Sequence, residues 1–170
     1  MSHLEHQQHA QNTLPSIRCA VLTISDTRTA ENDTGGMIMR QILEAAGHEL
    51  VRYGIAKDEP GQIVSEVAAC TTAGCQVLLT SGGTGIAKRD STFEAIDALL
   101  EKRLPGFGEL FRMLSYADIG AAAMLSRATA GSVGSMLIFC MPGSPNAVRL
   151  AMEQLIVPQL PHLVWETLRH

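Results

Sequence analysis

The run Cys75–Thr80 (CQVLLT) passes without a break into Ser81-Gly82-Gly83-Thr84-Gly85, and this junction limits the folds open to the chain more than any other segment. A short continuous apolar run with no polar alternation reads as a strand covered on both faces. Ile17–Ile24 (IRCAVLTI) reads the same way and stops at Ser25-Asp26-Thr27, while His48–Ala56 reads as a further strand. The intervals between these runs carry helical spacing. Ile38, Ile42, Leu43 and Ala46 recur within Met37–Ala46, with Gly47 as its terminator. Asp58-Glu59-Pro60 opens a second helix with Ile63, Val64, Val67 and Ala68 on one face. Ser91-Thr92-Phe93-Glu94 has capping-box spacing and introduces a third, reaching about Leu100. Strands that alternate with helices pair in parallel through right-handed crossovers.

The later half changes the pattern. Pro105-Gly106 reads as a break before a helix over Phe107–Leu114, and Arg127–Ser132 and Met136–Met141 read as a hairpin across Val133-Gly134-Ser135. Pro142–Pro145 is a turn. Asn146–Ile156 is an amphipathic helix, with Pro158 and Pro161 ahead of a short C-terminal one. The fold expected is a three-layer α/β/α sandwich on a mostly parallel mixed sheet, in one domain over residues 17–170. The polar stretch 1–16, with His3, His6 and His9 at every third position, reads as a disordered leader.

Composition narrows the function. A net charge of −4, a pI near 5.8 and only 4% aromatic residues speak against a nucleic-acid partner. No apolar run reaches the length of a membrane span, and the N-terminus lacks the features of a signal peptide, so a cytoplasmic location is expected. Cys19, Cys70, Cys75 and Cys140 match no zinc or redox spacing and read as buried free thiols.

In such a sandwich, ligands bind beyond the carboxyl ends of the strands. Ser25, Asp26, Asp58, the loop Thr80–Gly85 and Pro142–Pro145 all follow strands and should converge on one rim. Three glycines let a backbone turn sharply and present successive N–H groups to an anion. The loop is neither a Walker A loop nor a dinucleotide fingerprint, and an ordinary strand-to-helix turn remains open. Lys88-Arg89-Asp90 places two cations and a carboxylate beside it. A carboxylate next to bound phosphates calls for Mg²⁺, although Asp90 and Asp58 also suit helix caps. Arg112 and Arg127 lie in apolar surroundings, where each can snorkel or pair with an acid. The residues alone lead to a phosphorylated ligand with Mg²⁺.

Seven segments in order, LTISDTRT (22–29), KDEP (57–60), TSGGTG (80–85), RDST (89–92), PGFGEL (105–110), LSRA (125–128) and PGSPNAV (142–148), resemble the MoaB/MogA family of molybdenum cofactor biosynthesis proteins, relatives of the adenylyltransferase domain of gephyrin. The continuation FRMLSYADIG resembles MoaB more closely than MogA. The resemblance implies a molybdopterin-binding fold working as a trimer, or as a hexamer of two trimers. It implies Mg²⁺-dependent transfer of AMP from ATP to molybdopterin, with release of pyrophosphate and hand-over to the molybdate-inserting enzyme. A non-catalytic role in binding or handling the cofactor is the alternative. The family's two important aspartates fall on Asp58 and Asp90, which are also the candidate Mg²⁺ ligands. Its glycine loop falls on Ser81–Gly85 (Ser81, Gly82, Gly83, Thr84, Gly85), and its pterin-side serine on Ser126. The substrate-binding set also takes in Ser25, Asp26, Thr80, Arg89, Glu109, Pro142, Gly143 and Ser144.

Overall fold

The computed structural model describes residues 3–168. A six-stranded sheet runs β2-β1-β3-β6-β5-β4, with β1 Arg18–Ile24, β2 Glu49–Ala56, β3 Val77–Ser81, β4 Lys102–Arg103, β5 Thr129–Val133 and β6 Met136–Met141. The first four strands of that order pair in parallel, and β5 and β4 add antiparallel. The α/β sandwich read from the sequence is therefore present, with the late hairpin on one side of the sheet. The two-residue β4 carries no apolar signal and was not foreseen.

Both faces of the sheet are covered, as the continuous apolar strands require. On one face Cys19, Val21, Leu79, Phe139 and Met141 pack with Met39, Phe111, Met152 and Val164. These partners come from α2 (Thr34–Ala45), α5 (Pro105–Ile119), the segment Ala151–Ile156 and α7 (Val157–Leu168). On the other face Ala20, Leu22, Leu78 and Ile138 meet Ile63, Val67 and Ile96, from α3 (Pro60–Thr72) and α4 (Thr92–Leu99). All four cysteines are buried and free. Among the described residues no helix is long and apolar enough to cross a membrane.

Several boundaries differ from the sequence reading for local reasons. α2 starts at Thr34 because the Asp33 carboxylate caps it, accepting the Gly36 N–H. Pro105 opens α5 instead of breaking the chain, since a proline at the first helical position loses no hydrogen bond. After α6 (Pro145–Leu150) the helix widens to π geometry over Ala151–Ile156 and continues into α7, with Pro158 and Pro161 inside it. A proline lacks the N–H and crowds the carbonyl four residues earlier, and a wider turn relieves both. The leader is also not disordered: His3–Thr13 forms α1. It packs on α7 with Ala10 fully buried, and the His9 ring stands edge-on to Trp165 at 5.7 Å. Met1, Ser2 and the side chains of His3 and His6, part of the same leader reading, lie outside the described residues.

Candidate functional site

The strands of the parallel block end together, and their exits are tied by backbone. The Ser25 N–H donates to the Ala56 carbonyl at 2.9 Å and the Gly82 N–H to the Met141 carbonyl at 3.0 Å. Gly82 has φ +103°, and a Cβ there would collide with the Ile24 carbonyl oxygen. Gly83 has φ +62°, and a Cβ would strike the Thr92 hydroxyl and the Asp58 carboxylate. Both positions demand the left-handed region and the close approach that only glycine permits. Gly143 of the PGSP turn completes the contact, since a Cβ on it would lie 3.2 Å from Gly82 Cα.

Asp58 is buried behind this loop. Its Oδ1 accepts the Ser91 N–H at 3.1 Å, the Ser91 hydroxyl at 2.8 Å and the Thr92 hydroxyl at 3.2 Å. The capping box expected at Ser91 is therefore not formed: its hydroxyl turns to Asp58, and α4 has no side-chain cap. The Asp58 N–H donates to Asp26 Oδ1 at 3.3 Å. Arg89 grips the same Asp26 carboxylate with Nε and Nη2, both at 2.9 Å. Arg89, expected as a phosphate-binding cation, is thus engaged by a carboxylate in this structure. Asp90 is less committed. Its Oδ2 accepts the Ala87 N–H at 3.1 Å, and no donor among the described residues meets its Oδ1.

The loop's donors are open. Among the described residues no acceptor meets the N–H groups of Gly83, Thr84, Gly85 or Ile86. Four successive unpaired N–H groups make a concave donor surface for an anion. The first three of these residues border a cleft of about 340 Å³ lined by Gly83, Thr84, Gly85, Ser126, Gly143 and Ser144, among others. A second cleft of about 400 Å³ lies across Ser126 and contains Glu109, Arg112, Arg127 and Phe93. Ser126 joins the two.

The sequence-selected residues separate accordingly. Gly82, Gly83, Thr84, Gly85, Ser126, Pro142, Gly143 and Ser144 are brought to the first cleft or its floor, with Asp26, Asp58, Arg89 and Asp90 on its flank. Glu109 lines the second cleft, away from the glycine loop. Thr80 does not reach the site: it is fully buried in the sheet, and its hydroxyl points to the Phe139 carbonyl at 3.4 Å. The Ser81 hydroxyl is buried and meets no partner among the described residues. Ser25 shapes its turn by accepting the Thr27 and Arg28 N–H groups, and the Ser144 hydroxyl caps α6 through the Ala147 N–H.

Three residues matter that the sequence left unassigned. Thr92 is a fully buried donor to Asp58. Asp33 accepts the Thr23 hydroxyl at 2.7 Å and the Tyr53 hydroxyl at 2.8 Å, and burial, followed by this bond, pushes the Tyr53 phenol up to about 12. Arg127 pairs with Glu94 and donates to the Thr84 carbonyl at 3.0 Å and to the Gly85 carbonyl. The hydrogen bond from Arg127 holds the Glu94 carboxyl below its usual value. In the sequence Arg127 stood out as a cation in an apolar setting and Thr92 only as part of the RDST segment, while nothing marked Asp33.

A metal ion is tested by the donor set. Among the described residues no group of three or more His, Cys, Asp or Glu side chains could hold one. That does not suit an all-protein cage, but Mg²⁺ commonly uses one or two carboxylates together with substrate phosphates. Asp90, with an unengaged oxygen beside the open N–H groups, fits that single-carboxylate role. Asp58 Oδ1 already accepts from three donors, and its Oδ2, which meets no donor among the described residues, belongs to a side chain buried behind the loop, so Asp58 fits less well.

The comparisons with known proteins agree with this geometry. The family model described as "Probable molybdopterin binding domain" matches residues 20–162. The chain is 50% identical over 168 residues to the molybdenum cofactor biosynthesis protein B of Bacillus cereus, covering 98% of each chain. It is 51% identical over 162 residues to that of Bacillus subtilis, covering 94% of this chain and 95% of the relative. Among solved structures, the tungsten cofactor synthesizing protein MoaB of Pyrococcus furiosus superposes with a TM-score of 0.83 at 33% identity, over 92% of this chain and 99% of that one. A MogA structure superposes with a TM-score of 0.81 at 29% identity, over 88% and 99%. With this sheet order, this glycine loop and these matches over nearly its full length, the chain belongs to the MoaB/MogA family of molybdenum cofactor biosynthesis proteins.

Proposed function

We propose that this protein adenylylates molybdopterin. An oxygen of the terminal molybdopterin phosphate attacks the α-phosphorus of ATP. The bond from that phosphorus to the bridging oxygen breaks, and pyrophosphate leaves with the electron pair. The observation that carries the reading is the row of unpaired N–H groups from Gly83 to Ile86 beside Asp90. Both reactants are anions, so catalysis rests on positioning and on donors aimed at phosphate oxygens, with no need for a strong base. Mg²⁺, when bound, would neutralise phosphate charge. Asp90, whose Oδ1 is unengaged, would hold it, while Asp58 keeps Ser91 and Thr92 in position behind the loop. In this reading Ser126, which lines both clefts, contacts the pterin substrate.

The reading includes self-association as a trimer or hexamer, supported by an exposed apolar row on α5 at every third residue: Leu110, Met113, Tyr116 and Ile119. It also includes a cytoplasmic setting and delivery of the product to the molybdate-inserting enzyme. The test is incubation of the protein with molybdopterin, labelled ATP and Mg²⁺. Release of pyrophosphate with formation of an adenylylated pterin is expected. Tight pterin binding without turnover would overturn the enzymatic reading in favour of a carrier, and sedimentation of the same sample reads the assembly.

A further inference from the structure

We infer that Arg127 is a positioning residue that sets the peptide orientation of the glycine loop. The inference rests on the reading that this loop binds phosphate, but not on adenylyl transfer. In a trans peptide the carbonyl of one residue and the N–H of the next point in opposite directions, and the described chain has no cis bonds. Arg127 Nε donates to the Thr84 carbonyl at 3.0 Å, and Nη2 donates to the Gly85 carbonyl. Holding those two carbonyls on the side of the second cleft, where Arg127 lies, turns the N–H groups of Gly85 and Ile86 the other way. Neither N–H meets an acceptor among the described residues.

The guanidinium is itself fixed. Its Nη1 pairs with Glu94 Oε1, Nη2 approaches Oε2 at 3.4 Å, and its carbon lies 4.9 Å from the centre of the Phe93 ring. Phe93 and Glu94 belong to the first turn of α4, the turn whose Thr92 reaches Asp58. One helix start therefore braces the loop from both sides. Glu94 also neutralises the arginine's charge, so the role of Arg127 is geometric: three acceptor groups on one planar fork, which an ammonium on a flexible stem cannot reproduce.

The experiment uses the full chain. Calorimetric titration with ATP and with inorganic pyrophosphate is compared for wild type, Arg127→Lys, Arg127→Gln and Glu94→Gln. Amide resonances of Gly85 and Ile86 are followed by NMR in the same samples. The lysine and glutamine variants of Arg127 should each weaken binding by about tenfold or more and move both amides, and Glu94→Gln should weaken it by about threefold. Arg127→Lys binding as tightly as wild type, with unmoved amides, would overturn the inference by reducing Arg127 to a simple cation. Should the Arg127 variants fail to fold, the solvent-facing Glu94→Gln decides: unchanged affinity and unchanged amides refute it. A wild type that binds neither compound refutes the phosphate-loop reading and this inference together. One that binds but does not turn over refutes only the enzymatic reading.

Discussion

Removing the two candidate site carboxylates, Asp58 and Asp90, should have unequal consequences, because only Asp58 is built into the scaffold. In Asp58→Ala, three donors lose their acceptor: the Ser91 N–H, the Ser91 hydroxyl and the Thr92 hydroxyl, at 3.1, 2.8 and 3.2 Å. Hydrogen bonds to a charged acceptor contribute more than neutral ones, but Ser91 is only half-buried and water can replace part of the loss. Thr92 is sealed off, so its orphaned hydroxyl keeps the full cost. The sum is about 2–4 kcal/mol. For a domain of this size that lowers Tm by about 5–15 °C. In Asp90→Ala one bond to the exposed Ala87 N–H is lost, costing below about 1 kcal/mol. Urea and thermal denaturation at neutral pH measure the stability, and ATP titration measures the site. The expected pattern is a large stability loss with Asp58→Ala, and near-native stability with weakened Mg²⁺-dependent binding with Asp90→Ala. Equal Tm shifts in the two variants would refute the division of roles.

Two further outcomes follow from the titratable groups. Burial holds the His48 imidazole below its ordinary value of 6.5, and its Nδ1 accepts the Ile17 N–H at 3.4 Å, which requires the neutral ring. Protonation therefore favours the unfolded chain. The stability from neutral His48 is complete above pH 6.5 and is lost as pH falls below it. His48→Gln should show a shallower decline in urea midpoint from pH 8 to pH 5.5 than wild type, and parallel declines would sink the claim. Burial pushes the Cys19 and Cys70 thiols up to about 12 and Cys140 up to about 11. The thiolate is the reactive form, so Ellman's reagent at pH 8 should label the native protein slowly and all four thiols rapidly in guanidinium. Fast native labelling at Cys19 or Cys140 would contradict the packing described.

The sheet was legible because its strands are short unbroken apolar runs, and Cys75–Thr80 could hardly have been anything else. The glycine loop, Asp58 and Asp90 were legible as a set through the order of their motifs. The division of labour between them was not. Asp58 and Ser91 are 33 residues apart, and nothing local announces that the Ser91 hydroxyl forsakes its own helix for a distant carboxylate. Thr80 looked like part of the loop because it adjoins it, yet strand alternation turns it into the sheet. Glu109 stands in one of the ordered motifs, PGFGEL, but lines a neighbouring cleft. α1 was missed because its sequence has no apolar stripe and it docks through the small Ala10 side chain. The π segment was missed because proline is ordinarily read as a stop.

Where the loop leaves β3, just before the open N–H groups, the floor is main chain: Gly82 against the Ile24 carbonyl, and Gly143 against Gly82. Such a floor has no rotamers. An anion settling there freezes no flexible side chain beneath it and incurs none of the ordering entropy that a lysine-lined pocket would impose. Substitutions that repack the two apolar layers can tilt the strands, but they cannot make this surface rearrange locally. A variant with a heavily altered core that still folds should therefore either keep the pocket's shape or lose it as a unit.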